Sequence, residues 1–131
     1  SHKVALQPHY VFGVLSEKAE ALVKELENSK SARGKVESQL MLVLHTGDVS
    51  MDTIATKLGV SRQTLFRRLK AEDVTFEKVL DELRHRLALN YLSGRKASVN
   101  ETAYLIGFSD PAAFSRAFKR WTGKSPSEMR G

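Results

Sequence analysis

Donor side chains suited to a polyanion are concentrated in residues 61–70, where no acidic residue occurs. They are Arg62, Gln63, Arg67, Arg68 and Lys70. An arginine can donate two hydrogen bonds to guanine O6 and N7, and a glutamine can pair with adenine. The chemistry of this segment is therefore recognition of phosphates and base edges, not proton or group transfer.

A turn pattern occurs twice in the chain. Residues 54–61 read IATKLGVS, and residues 102–109 read TAYLIGFS. Each copy has a small alanine where two helices would cross, a glycine free to adopt positive φ, and an apolar residue to pin the turn. A hydroxyl that can cap the next helix follows. The repeat predicts two helix-turn-helix units.

The helix after each turn has a predictable inward face. The pairs Leu65/Leu69 and Phe114/Phe118 are spaced i, i+4, and they correspond if the second unit gains one residue at its start. The outward positions are then occupied by Gln63 and Arg67 in unit one and by Ala112 and Arg116 in unit two. Phe66 and Ser115 lie on the flanks of these helices.

Periodicity and capping residues predict an all-α fold in two subdomains joined by a long central helix. The expected helices cover residues 35–46, 51–58, 62–70, 76–93, 99–106 and 111–121. The long helix should bury Phe76, Val79, Leu80, Leu83, Leu87 and Tyr91. Residues 126–131 are expected to end the chain without a further element.

Residues 1–34 are interpreted as an appendage. An apolar stripe of Ala19, Leu22, Val23 and Leu26 predicts an extra N-terminal helix, and residues 28–34 (NSKSARG) form a hinge. Residues 35–131 are then the main domain.

Composition narrows the class of partner. The 131 residues carry a net charge of +6, which favours nucleic acid over a membrane surface. There is no cysteine, and no apolar run reaches the ~18 residues of a spanning helix. We therefore expect a cytoplasmic protein without a membrane partner.

An enzyme and a protein-interaction module are the two alternative function classes. The four histidines, His2, His9, His45 and His85, form no metal-ligand pattern, and no phosphate-binding loop or nucleophile motif occurs. We therefore expect no catalysis, no metal and no cofactor. The alternative to DNA binding is a helical protein-interaction module, which would show no salt-dependent retention on DNA.

Residues 35–130 resemble the C-terminal DNA-binding domain of the AraC/XylS family of bacterial transcription regulators. The most specific stretches are residues 107–110 (GFSD) and 114–126 (FSRAFKRWTGKSP). Residues 59–62 (GVSR), with Leu65 and Arg67, are similar to the first unit of that family. The resemblance implies seven helices and sequence-specific binding of double-stranded DNA, with both recognition helices in successive major-groove segments.

The resemblance also implies roles for individual residues. The base-contacting set would be Arg62, Gln63, Phe66, Arg67, Asp110, Pro111, Ala112, Ser115 and Arg116. The DNA-backbone set would be Ser61, Thr64, Arg68, Ser109 and Lys119. Members of this family often carry an upstream effector-binding domain, and residues 1–34 would be the tail of one. RNA polymerase would be a further partner, and a small-molecule effector would act only through that upstream domain.

Two positions depart from the family pattern. Many members have glycine where this chain has Asp73, which affects the turn after the first recognition helix. Pro111 and Ala112 offer little hydrogen bonding, so unit two is expected to read DNA shape or thymine methyl groups more than base edges.

Overall fold

The computed structural model describes residues 31–130, which form seven α-helices and one short 3-10 helix. In chain order these are α1 (Ala32–Val43), the 3-10 helix (Leu44–Thr46), α2 (Met51–Lys57), α3 (Arg62–Ala71), α4 (Phe76–Ser93), α5 (Val99–Leu105), α6 (Pro111–Thr122) and α7 (Pro126–Arg130). No strand occurs in this part of the chain. The all-α prediction is confirmed.

The predicted stripe of Ala19, Leu22, Val23 and Leu26 lies outside the described residues. The division of the chain at residue 34 remains a prediction, because most of the predicted appendage, residues 1–30, lies outside the described part. None of the helices within residues 31–130 is both long and apolar enough to cross a membrane.

Side-chain caps determine where the helices begin. The N-cap residues Ser50, Ser61, Thr75, Ser98 and Asp110 each accept a hydrogen bond from a backbone amide three residues ahead. Such a bond satisfies an amide that the helix itself leaves unpaired. At Ser98 the bond is reciprocal, because Glu101 accepts from the Ser98 amide. These helix starts were correctly predicted.

Helix α1 begins at Ala32, earlier than the predicted Lys35. The side chain of Ser31 accepts a hydrogen bond from the Gly34 amide at 2.9 Å. The carboxylate of Glu72 accepts two more, from the amides of Ala32 and Arg33 at 2.7 and 3.0 Å. The end of the predicted hinge is therefore the first turn of a helix. Because Glu72 lies about 40 residues away, local sequence could not reveal this cap.

Helix α4 packs the predicted apolar residues against the cores and buries two further residues, Ala88 and Leu92. Phe76, Val79 and Leu83 are buried as expected, but in the second half the buried residues are Ala88 and Leu92. The predicted Leu80, Leu87 and Tyr91 are only partly buried. Ala88 and Leu92 are buried because α4 packs against two cores that lie on different sides of it.

The two cores correspond to the two units. The first is built from α1, α2, α3 and the first half of α4, with Val36, Leu40, Ile54, Leu65, Leu69 and Val79 among its most buried members. The second contains Ala88, Leu92, Ala103, Ile106, Phe114 and Phe118. Helix α4 therefore contributes residues to both cores as well as connecting the two units.

The chain end was predicted wrongly. Residues 126–130 form α7, which begins with a second reciprocal cap: the Ser125 amide donates to Glu128, and the Glu128 amide donates to Ser125 Oγ. Hydrogen bonds from the Ser125 amide and hydroxyl lower the pKa of Glu128, just as those from Ser98 lower the pKa of Glu101. Pro126 occupies the first helical position, where proline is tolerated, and does not stop the structure.

Candidate nucleic-acid interface

Both predicted turns have helix-turn-helix geometry. Gly59 and Gly107 adopt φ of 73° and 93°, a region that favours glycine. Ala55 and Ala103, where the two helices of each unit cross, are buried. Helices α3 and α6 follow these turns and are the recognition-helix candidates.

The outward face of α3 carries the predicted base-contacting residues of unit one. Leu65 and Leu69 are buried, while Arg62, Gln63, Phe66 and Arg67 are exposed. These four exposed side chains line one concave surface together with Met51 and Glu77. The structure therefore brings this predicted set together. Phe66 is 51% exposed, which is unusual for an aromatic ring that has no partner role.

Hydrogen bonds along α3 orient its donors. Ser61 Oγ donates to Thr64 Oγ1 at 3.0 Å, and Arg67 Nη2 donates to the same oxygen at 3.2 Å. Arg62 lies 3.6 Å from Asp52 of α2 in a well-exposed ion pair, which is a weak restraint. The hydrogen bond to Thr64 thus holds the Arg67 side chain along α3. Arg62, by contrast, can leave Asp52 for another partner.

Arg68 lies on the other flank of α3. It is exposed and lines a groove towards α1 with Lys35 and Glu72. That position differs from the concave surface of Arg67, so Arg67 and Arg68 point at different regions of any bound ligand.

The outward face of α6 in the second unit carries few long polar side chains. Phe114 and Phe118 are fully buried, Ala112, Arg116 and Lys119 are exposed, and Pro111 and Ser115 are partly buried. Only one of the outward side chains near the start of α6, Arg116, carries a long donor. Unit two therefore offers fewer hydrogen-bond donors for base edges than unit one.

The cap of α6 is shifted by one residue relative to that of α3. Asp110 Oδ1 accepts from the Ala113 amide at 2.8 Å, so Asp110 takes the place that Ser61 has in unit one. Ser109, which the repeat aligned with Ser61, is exposed and does not cap the helix. It lines a separate concavity with His45 and Tyr104. The extra residue predicted at the start of unit two explains the shift.

Ion pairs divide the basic residues into two groups. Arg33, Arg86, Lys78 and Arg120 pair with carboxylates of α1 and α4. Within residues 31–130, by contrast, Arg67, Arg68, Arg116 and Lys119 form no ion pair. Helices α3 and α6 also contain no acidic residue, whereas each of the other described α-helices contains at least one.

Two residues of this region were not predicted from sequence. Met51 joins the concave surface of α3, and Arg84 of α4 hydrogen-bonds to the turn of unit two. The contacts of Arg84 span 22 and 23 residues. No local pattern could have indicated them.

A family model described as a helix-turn-helix domain matches residues 54–131, which is more than half of the chain. Among curated proteins, the ornithine utilization regulator of Pseudomonas aeruginosa is 36% identical over 115 residues. The match covers 87% of this chain and 33% of that regulator. The chain thus spans about a third of the length of this relative.

Solved structures share the fold. An AraC-type DNA-binding-domain protein from Chromobacterium violaceum superposes with a TM-score of 0.65 at 27% identity, covering 76% of this chain and 88% of that one. The DNA-binding domain of AdpA, solved in complex with a target DNA, gives a TM-score of 0.63 at 26% identity and covers 77% of this chain and 91% of that one.

Proposed function

Because the chain belongs to the AraC-type family of helix-turn-helix transcription regulators, we propose that residues 31–130 bind double-stranded DNA in a sequence-specific way and thereby regulate bacterial transcription. Helices α3 and α6 enter successive major-groove segments on one face of the duplex. The AdpA domain, which has the same fold, is described in complex with a target DNA, and this supports the assignment.

The distribution of charge over the helices carries the proposal. Helices α3 and α6 contain basic residues and no acidic one, and Arg67, Arg68, Arg116 and Lys119 form no ion pair in the described part of the chain. Mutual repulsion makes such a cluster unfavourable in the free protein, and a phosphate backbone removes that cost. The alternative function, a protein-interaction module, would not explain this distribution of charge among the helices.

The two units are proposed to read DNA differently. In unit one, Arg62, Gln63 and Arg67 provide donors for base edges, and the exposed ring of Phe66 can contact a thymine methyl group. In unit two, Arg116 is the main base reader. The base-facing positions Asp110, Pro111, Ala112 and Ser115 contribute mostly shape and apolar contact.

Backbone contacts are proposed for Ser61, Thr64, Arg68, Ser109 and Lys119. Ser61 and Ser109 lie at or next to the N-terminal ends of α3 and α6. Free amides and the helix dipole favour a phosphate at such ends. These contacts would set the register of the protein on the duplex, and the outward side chains would select the sequence.

The chain spans about a third of the length of the ornithine utilization regulator described above. We propose that a small-molecule effector acts through an upstream domain, that RNA polymerase is a partner on the promoter, and that the protein works in the cytoplasm. No catalytic step is assigned to it.

The test compares two charge-matched double variants. Arg67→Ala with Arg116→Ala removes one unpaired arginine from each recognition helix. Arg33→Ala with Arg86→Ala removes two arginines that are paired on the supporting helices. Binding is titrated against a duplex selected from random sequence, at several salt concentrations.

We expect the first double variant to lose at least roughly 30-fold in affinity, since each base-contacting arginine contributes about 1–3 kcal/mol. The control should stay close to wild type and keep its steep salt dependence. Equal losses in both variants would contradict the assignment of α3 and α6 as the recognition helices. Wild-type binding that does not respond to salt would refute the proposed function and favour the protein-interaction module.

A further inference from the structure

Arg84, in the middle of α4, makes three contacts with the turn of unit two. Its Nε donates to the Ile106 carbonyl at 2.8 Å, and its Nη2 donates to the Gly107 carbonyl at 3.0 Å. Its guanidinium carbon lies 4.4 Å from the centre of the Phe108 ring. These carbonyls lie at the C-terminal end of α5, where the helix dipole favours a cation.

The contacts leave the guanidinium little freedom. Two parallel donors on a planar group bind two successive carbonyls, which fixes both the distance and the angle between α4 and the turn. Burial lowers the pKa of Arg84, and the nearby carboxylate of Asp81 acts in the opposite direction. A half-buried cation held in this way is costly to displace.

The same turn also touches unit one. A Cβ atom built on Gly107 would lie 2.6 Å from the Leu44 carbonyl oxygen and 3.1 Å from Arg84 Nη2. Leu44 belongs to the buried core of unit one. Gly107 is therefore enclosed between a unit-one carbonyl and the Arg84 guanidinium, and there is no room for a side chain.

Two neighbouring contacts of α4 reinforce this attachment. Asp81 forms an ion pair with Arg120 of α6 at 3.1 Å. The ring of His85 stacks on Trp121 with centroids 5.3 Å apart. Residues 81, 84 and 85 are spaced i, i+3 and i+4, so one face of α4 attaches both the turn and the recognition helix of unit two.

We propose that Arg84 is a positioning residue that holds the turn of unit two against Leu44 of unit one, and thereby determines the spacing between the two DNA half-sites that the chain accepts. The inference rests on the proposed function. One inserted base pair moves a half-site by about 3.4 Å along the duplex and by about 35° around it, since a turn of about 34–36 Å holds 10–10.5 base pairs. Two rigidly attached recognition helices cannot follow such a change, whereas loosely attached ones can.

The experiment measures affinity for the selected duplex and for duplexes with one base pair inserted or deleted between the half-sites. The variants are Arg84→Met, which removes the forked donor, and Arg84→Lys, which keeps the charge but not the fork. Arg86→Met is the control, because it removes an exposed arginine two residues away on the same helix. Thermal unfolding of each protein is followed in parallel.

We expect wild type and Arg86→Met to discriminate strongly between spacings. Arg84→Met should lower that discrimination about three- to tenfold, as expected for a residue that couples two sites, and Arg84→Lys should be intermediate. A merely structural role would lower the melting temperature and leave the discrimination ratio unchanged. If Arg84→Met does not fold, the ratio for Arg84→Lys decides.

The outcomes separate the two proposals. Wild type that does not bind duplex DNA contradicts the proposed function itself. Wild type that binds but shows no spacing preference, or an Arg84 variant that keeps the wild-type ratio, overturns the positioning role and leaves the proposed function intact.

Discussion

Glu72, the C-cap of α3, accepts a 2.7 Å hydrogen bond from the backbone amide of Ala32, the first residue of α1. Its second carboxylate oxygen accepts from the Arg33 amide. One side chain thus joins the end of a recognition helix to the start of the first helix. The position of α3 therefore depends on a contact outside its own helix-turn-helix unit.

This contact leads to a stability prediction. Glu72→Ala leaves two amides of α1 without their acceptor, so we expect a loss of about 1–2 kcal/mol in the free energy of unfolding. Glu72→Gln keeps one acceptor oxygen and should lose less. Urea unfolding of the three proteins measures the difference, and equal stability of Glu72→Ala and wild type would mean that the cap contributes nothing.

Substitutions of Phe118 and Phe66 distinguish an effect on folding from an effect on DNA binding. Phe118 is fully buried in the core of unit two, so Phe118→Ala should lower the free energy of unfolding by about 3–5 kcal/mol. Phe66 is half exposed on the outward side of α3, so Phe66→Ala should unfold much like wild type but bind DNA less tightly. Thermal unfolding and duplex titration test both. A stable Phe118→Ala that fails only in binding would contradict the facing of α6.

Asp73 occupies the position where many family members have glycine, and its backbone φ is 60°. This left-handed conformation disfavours side chains that carry a Cβ atom, and a carboxylate just beyond the C-terminus of α3 opposes the helix dipole. Asp73→Gly should therefore stabilise the protein by about 0.5–1 kcal/mol.

The control for that change is Asp73→Ala. It removes the same charge but keeps a Cβ atom in the left-handed conformation, so it should be less stable than Asp73→Gly. Melting temperatures of the three proteins are compared at one salt concentration. If alanine stabilises as much as glycine does, charge and not backbone strain is the cause.

Arg67 and Lys119 test the division between base and backbone contacts. We expect Arg67→Ala to lose about 1–3 kcal/mol on the preferred duplex and to relax sequence choice at one or two positions. Lys119→Ala should weaken binding to all sequences about equally and reduce the salt slope by about 1. Titrations against the preferred and a scrambled duplex distinguish the two patterns. Equal weakening on both duplexes for Arg67→Ala would make Arg67 a phosphate contact.

Local sequence was sufficient to predict five of the helix starts and both helix-turn-helix turns. The caps at Ser50, Ser61, Thr75 and Ser98 and the positive φ of Gly59 and Gly107 depend only on residues a few positions apart. The inward faces of α3 and α6 follow from the i, i+4 spacing of large apolar residues. Short-range interactions depend only on residues that are close together in the sequence, so the sequence alone predicted both helix-turn-helix units.

Tertiary structure decided what depends on distant partners. The two further hydrogen bonds at the start of α1 required Glu72, and the burial of Ala88 and Leu92 on α4 required a second core on another side of that helix. The attachment of the units required Arg84 to meet carbonyls 22 and 23 residues away. Pairing also determined which arginines remain available for a ligand: Arg120 is held by Asp81, whereas Arg116 is not. The periodicity of a helix indicates which face a side chain occupies, but only the packed structure brings a carboxylate or a carbonyl within hydrogen-bonding distance of it.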